Sequence, residues 1–319
     1  METITLRPVK LERDFGQLAA LFSLEQNQLT TEPALILDYK EHKERIIRLM
    51  VAENEQGELL GFNWAVRSRF DPKQVYFYII VKPEERKHGV GSRLYEDLEQ
   101  AAKKARINSI QITIRDTCPD CEAFANKRGF VEKSHYIGLA LKLDSFDNQS
   151  YDDLIAKLKG EGFQFTSMEA MGNSEDAQRK LYQLNDSTSM EKIIPEGEHS
   201  WLSFEDFKEK VCQTEWYIPG GQIVAIDLTT NTWAAMSAIT RFEGSEHAYN
   251  LHTGVDRHYH GRKLAQATLV LALRYARDVL KVNRAHTEEN GLDLPAFAIY
   301  RELGYKRIAG NLTMVKVLN

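Results

Sequence analysis

The chain has 319 residues, a formal net charge of −5 and a pI near 6.0, with 43% hydrophobic and 27% charged residues. These values fit a globular protein of about two domains, exclude a disordered chain, and give no sign of the salt-dependent phosphate binding of a nucleic-acid protein. No apolar run, the longest lying near Leu269 to Leu273, approaches the roughly 20 residues that span a bilayer. The start Met1-Glu2-Thr3-Ile4 lacks a signal peptide's basic and apolar regions, and three cysteines are too few for a disulfide framework. A cytoplasmic protein with no membrane or nucleic-acid partner is expected.

Ile4 to Val9 alternates as a strand does, and Asp14 opens a helix carrying Leu18, Leu21 and Phe22. After polar turns, Tyr39 to Arg48 reads as a charged helix. Leu49 to Glu53, Leu59 to Ser68 and Val75 to Lys82 read as strands, the first two joined around Glu55-Gln56-Gly57. From Gly91 the period becomes 3.6, with Leu94, Leu98, Ala101 and Ala105 on one face. Ser109 to Arg115 is a strand and Pro119 to Lys127 a helix stopped near Gly129, followed by strands at Phe130 to Lys133 and His135 to Leu143.

Residues 144–162 are polar, include Asp147-Asn148-Gln149-Ser150, and are read as a linker with one amphipathic piece around Leu154, Ile155 and Leu158. The same order of elements then recurs. It runs through strand Phe163 to Met168, helices near Asp176 to Leu184 and Phe204 to Val211, and strands Gln222 to Asp227, Thr232 to Arg241 and Ala248 to Val255. A long helix Leu264 to Leu280, a strand near Arg284 to Thr287, a helix Pro295 to Leu303 and strands Tyr305 to Ile308 and Leu312 to Val317 complete it. Val81 aligns with Val255 and Gly129-Phe130 with Gly304-Tyr305. Spacing this long means a duplicated domain, since solenoid repeats run at about 20 to 50 residues.

Val81-Lys82-Pro83-Glu84-Glu85-Arg86-Lys87-His88-Gly89-Val90-Gly91-Ser92 joins a strand to the start of a long helix. Unpaired amides and the positive helix end favour an anion there, and glycines at 89 and 91 let the main chain approach a phosphate. The turn lacks the Gly-Lys-Ser/Thr ending of a nucleoside-triphosphatase loop, and Leu94 stands where a dinucleotide fold would want its third glycine. The plain alternative is a glycine-shaped strand-to-helix turn with no ligand.

Arg86-x-x-Gly89-x-Gly91 after a Val-x-Pro strand end, then a Leu-rich helix, a strand and a helix ending Gly-Phe, resembles the GNAT superfamily of acyl-CoA-dependent N-acetyltransferases. The likeness covers residues 1–143 well and 163–319 as a looser copy, so the whole resembles a tandem GNAT protein. It implies an α/β fold of two domains, 1–143 and 163–319 with linker 144–162, each a mixed, largely antiparallel sheet flanked by helices. It further implies acetyl-CoA as acyl donor. The turn Arg86, Lys87, His88, Gly89, Val90, Gly91 and Ser92 would hold its pyrophosphate, and the main chain of Ile79, Ile80 and Val81 its pantetheine arm.

The second copy departs at this turn. In His260-Gly261-Arg262-Lys263-Leu264-Ala265, His260 takes the first position and Lys263 replaces the central glycine, adding a Cβ and long chain where the cofactor must approach. The reaction needs a neutral amine, an oxyanion donor and an acid for the departing thiolate. The family often places a tyrosine acid four residues before the glycine of the Gly-Phe ending. That position is Tyr300 in the second half and Ala125 in the first, where no spacing selects Tyr78 or Tyr136 instead and solvent can protonate the thiolate.

Several signals carry less. Cys118-Pro119-Asp120-Cys121 has redox spacing outside a thioredoxin-like context, and with Cys212 distant the cysteines read as structural or incidental thiols. His252, His258, His260 and His286 read as solvated, so no metal site is expected. Lys103, Lys104 and Arg106 complement a helix C-terminus. The family's acceptor wall would fall in Leu24 to Asp38, where Glu25, Glu32 and Asp38 would attract a cationic amine or remain exposed loop acids. The reading is an acetyltransferase acting on a small-molecule or peptide amine. The rival is a non-catalytic acyl-CoA sensor or scaffold, favoured by Ala125.

Overall fold

The computed structural model describes residues 4–25, 30–69, 71–146, 149–190, 201 and 203–318. In chain order its elements are β1 (Thr5–Pro8), α1 (Leu11–Glu25), α2 (Glu32–His42), β2 (Ile46–Glu53), β3 (Leu59–Arg67), β4 (Gln74–Val81), α3 (Val90–Lys104), β5 (Ser109–Arg115), α4 (Pro119–Asn126) and β6 (Val131–Lys142). There follow α5 (Asp152–Gly160), β7 (Phe163–Ser167), α6 (Glu175–Met190), α7 (Phe204–Phe207), β8 (Gln222–Asp227), β9 (Thr232–Thr240), β10 (Ala248–Val255), α8 (Leu264–Asp278), β11 (Arg284–Asn290), α9 (Leu294–Glu302) and β12 (Lys306–Val317).

The chain forms two compact units, one of Met1–His135 with Asn311–Asn319 and the other of Tyr136–Gly310. The consecutive division expected at 143 and 163 differs from this, because each half gives its last strand to the other unit. In the first unit the sheet runs β1-β2-β3-β4-β5 and closes on Asn311 to Val317 of β12. All neighbours there are antiparallel except β4 and β5. In the second unit it runs β7-β8-β9-β10-β11 and closes on Tyr136 to Lys142 of β6, with β10 and β11 the parallel pair. Close backbone packing within the second unit requires glycine where a Cβ on Gly138 would lie 2.1 Å from the Ala309 carbonyl oxygen.

In the first unit Phe15, Leu18 and Phe22 of α1 pack with Phe62 and Trp64, while Tyr95 and Leu98 of α3 pack with Ile110, Phe130, Leu312 and Met314. Val90, Leu94, Leu98 and Ala102 line the buried face of α3 at helical spacing. In the second unit α8 is buried on almost every side, which its run of Ala and Leu allows.

Three expectations give way. The helix at Tyr39 to Arg48 lies earlier, at α2, because the Thr31 hydroxyl accepts from Ala34 N at 3.3 Å and Pro33 favours the first turn, while β2 already begins at Ile46. The strand pairs at 130–143 and 305–317 are each one continuous strand. The linker contains α5, whose Ile155 and Leu158 are buried with Phe163 in the second unit's core; its Asp147 and Asn148 lie outside the described residues.

Candidate active site

In the first unit β4 pairs with β3 along its whole length but with β5 only from Gln74↔Ser109 to Phe77↔Ile112. Beyond Phe77 the two parallel strands part, so Tyr78, Ile79, Ile80 and Val81 present main-chain groups to a slot rather than to a strand. An extended amide chain is what such an edge can pair with.

The slot ends at the turn. After the short helical turn Pro83–Glu85, Arg86 Nε donates to the Val81 carbonyl at 3.2 Å and also ion-pairs with Glu25. Lys87 and Gly89 adopt left-handed backbone, φ 66° and 91°, and Gly89 is the N-cap of α3. Val90, Gly91 and Ser92 form the first helical turn, whose amides have no acceptor within the helix. A Cβ on Gly91 would stand 3.4 Å from the Phe124 ring, so the main chain approaches that neighbour closely. Arg128, in the turn after α4, donates to Ser92 Oγ at 2.8 Å and stacks over Phe124 at 3.5 Å, steadying this end; no motif in the sequence singles it out.

The second unit repeats the construction. β10 pairs with β11 only at Ala248↔Ala285 and Tyr249↔His286, and a bulge between Asn250 and His252 marks the parting. His260 Nε2 lies 3.0 Å from the Val255 carbonyl, as Arg86 lies against Val81. Gly261 and Lys263 have φ 77° and 62°, and Lys263 is the N-cap of α8. Glycine and lysine have changed places between the two turns while the backbone conformation is kept. A Cβ at the matching Gly89 would meet no protein atom within 4 Å.

Tyr300, on α9, is 4% exposed, and its hydroxyl lies 3.3 Å from the Asn250 carboxamide. With that amide turned so that its oxygen faces the hydroxyl, Tyr300 donates to it and the amide nitrogen donates to the Ala238 and His252 carbonyls. Burial first, then the Glu289 and Asp293 charges, push the phenol well above its usual range, so it stays protonated at neutral pH. Ala125 is buried in the first unit's core. Tyr78 is partly exposed against Phe22. Tyr136, weighed as a substitute acid for the first half, instead belongs to the second unit and lines its cavity.

The acids expected around an acceptor do not converge. Glu25 pairs with Arg86 and Asp38 with His42 at 3.0 Å, while Glu32 lies near Gly16 on the first turn of α2; residues 26–29 lie outside the described ones. Cys118 and Cys121 are joined as a disulfide at the start of α4, correcting their reading as thiols; the short C-x-x-C span brings their Cα atoms within 5.3 Å. Cys212 stays a thiol, pushed up to about 11 by burial. His258 lies against Asp256 at 2.8 Å and His252 against Thr188 at 2.8 Å, each held locally. Among the described residues no group of three or more His, Cys, Asp or Glu is arranged to hold a metal, and no helix is long and apolar enough to cross a membrane.

Residues 17–130, which carry the splayed parallel pair and its amide-rich turn, match the acetyltransferase (GNAT) family. No curated protein matches the chain in sequence. Among solved structures it is similar to a GCN5-related N-acetyltransferase from Sphaerobacter thermophilus, with TM-score 0.72, 15% identity, and coverage of 98% of this chain and 95% of that one. A tandem GNAT protein from the clavulanic acid biosynthesis pathway gives TM-score 0.72 and 15% identity over 99% and 98% of the two chains. A glucosamine N-acetyltransferase region of a fungal multi-domain β-N-acetylglucosaminidase gives TM-score 0.75 and 15% identity over 98% of this chain and 38% of that one. The match to that family lies within the first unit, and the chain over its length has the fold of a tandem GNAT protein.

Proposed function

We propose that the acceptor is an amine, making the chain an N-acetyltransferase of small molecules or peptides. The observation that carries this reading is the parting of β4 from β5 beyond Phe77, which leads straight to left-handed Gly89 at the start of α3. Two structural relatives are N-acetyltransferases by name, which favours nitrogen as the nucleophile.

In this reading the main chain of Ile79, Ile80 and Val81 pairs with the pantetheine amides, and the amides from Lys87 to Ser92 face the diphosphate, with Arg86 and Lys87 supplying positive charge. Acetyl-CoA supplies the acetyl group as an activated thioester. In the second unit Tyr300 holds a proton on Oη at the point where β10 leaves β11, the proton that a departing thiolate would take. The matched turn of that unit supports a second donor site. The test is acetyl-CoA-dependent thiol release against a panel of amines, with acetylated amine identified by mass. Release driven by an amine and lost in Gly89→Glu together with Lys263→Glu is expected; binding of acetyl-CoA with no amine-dependent release overturns it.

A second reading, a sensor that binds acetyl-CoA without turnover, is favoured by Ala125, which leaves the first unit without a tyrosine at that place. It predicts a tight complex and no thiol release with any acceptor.

A further inference from the structure

The second unit contains a cavity of about 390 Å³, a size suited to a small ligand. It opens on both arms of the parted strands: His252 comes from β10 beyond its bulge, and Glu289 and Asn290 from β11 beyond the last paired residue, His286. The cavity thus borders the slot that in the first unit runs to the glycine turn, and it lies beside Asp293, which caps α9 on the way to Tyr300.

Its lining has a definite chemistry. Glu288, Glu289 and Asp293 are carboxylates, and no lysine or arginine is among the described lining residues. Glu289 is 4% exposed, so water screens the field of its acid side chain only weakly. The remaining wall is aromatic. Trp201 is fixed by donating its indole N–H to Asn185 Oδ1 at 2.7 Å and by standing edge-on to Phe207 at 5.2 Å, and Trp216 lines the same cavity. Indole faces attract cations and bury apolar carbon at once. An anion would meet three carboxylates, and a small polar amine would leave the rings uncovered.

We propose that this cavity is the acceptor site of the second unit and takes a primary ammonium carried on an apolar, preferably aromatic, body. The assignment rests on the N-acetyltransferase reading and names its substrate class. The ammonium sits at Glu289 and Glu288 and the body lies between Trp201 and Trp216. For transfer the ammonium gives up one proton to become nucleophilic; a C–N bond then forms to the acetyl carbon as the C–S bond breaks. The nitrogen loses a second proton, and the thiolate gains one from Tyr300, which is reprotonated from solvent. Amide, free thiol and one released proton balance the ammonium and thioester consumed.

The test separates binding from transfer. The full chain is titrated calorimetrically with 2-phenylethylamine in the presence of free CoA, which carries no acetyl group, and in parallel with 3-phenylpropionate, alike in shape and opposite in charge. Binding of the amine alone is expected, weakened about tenfold or more by Trp216→Ala and by Glu289→Gln. Glu288 is exposed, so Glu288→Gln tests the charge without risk to the fold. Equal binding of the two ligands, or unchanged affinity in both Trp216→Ala and Glu288→Gln, overturns the proposal. If amines are acetylated at rates that ignore Trp216→Ala, this assignment falls and N-acetyl transfer stands. If 2-phenylethylamine binds as described but no amine releases thiol, the ammonium site stands and the transfer reading falls.

Discussion

The Tyr300 hydroxyl meets the Asn250 carboxamide, 3.3 Å away, at the first residue of β10 that has no partner on β11. A buried phenol is thereby held at the fork of the two strands, with the Thr253 hydroxyl 3.1 Å from the same amide. Tyr300→Phe keeps the ring against Tyr305 and removes only the proton donor. Turnover should fall about 10²- to 10⁴-fold with acetyl-CoA affinity nearly unchanged, and stability should drop by about 1 kcal/mol for the lost hydrogen bond. Steady-state kinetics with a responsive amine decides it; an unchanged turnover number removes Tyr300 from the mechanism.

Because the two turns share their backbone, they make paired predictions. Gly89→Glu places bulk and negative charge where the first unit's diphosphate would lie, so acetyl-CoA binding there should be lost. If both turns work, calorimetry of the parent should show two sites and Gly89→Glu one. Lys263→Gly should keep binding and change unfolding free energy by less than about 1 kcal/mol, on the stabilising side, since glycine takes left-handed backbone without a Cβ penalty. Urea titration measures the second effect.

His286 lies 4.4 Å from the His247 ring, and burial, then His247 and Arg284, pull its pKa down to about 4. Unfolded, the same imidazole titrates near 6.5. Between those values the unfolded chain binds a proton that the folded one refuses, so stability is fully kept above about pH 6.5 and declines as pH falls toward 4. Melting temperature should follow that limb, and His286→Gln should flatten it; an unaltered slope in the variant would assign the decline to other groups.

Asp14 is 1% exposed and accepts from Arg7 at 2.7 and 2.9 Å and from Lys10 N at 2.7 Å. Burial alone would raise its pKa, but these donors hold it below the ordinary carboxylate range. Arg7→Ala strands a buried charge and should cost about 3 kcal/mol, whereas Arg13→Ala, removing a half-exposed partner, should cost under about 1 kcal/mol. Chemical denaturation of both variants checks the contrast.

Local chemistry wrote part of this molecule plainly. Ser109 to Arg115, Gln222 to Asp227 and Ala248 to Val255 lie where alternation and turn residues put them, and the glycines of the first turn marked the N-terminus of α3. What failed to show was decided at a distance. The strand ending at Leu143 has the same alternating pattern whichever sheet it joins, so nothing local reveals that Tyr136 and its neighbours pair with β11. Lys263 reads against the second turn because it sets a Cβ and a long chain where the first turn has glycine; that both turns keep the same pair of left-handed residues is a property of the backbone that residue identity does not reveal. The cavity was invisible because Trp201, Trp216, His252 and Glu289 come from four separate stretches with no shared spacing.

The exchanged last strands also set an order for the birth of the protein. The first unit's sheet is completed by Asn311 to Val317, and its core by Leu312 and Met314. A ribosome adding about 5–20 residues per second would make that strand on the order of ten seconds after the rest of the first unit. Until then β5 would offer an unpaired edge, the kind of surface that chaperones shield and neighbouring nascent chains can join. Loss of the residues from Asn311 onward would therefore be felt in the half of the chain made first.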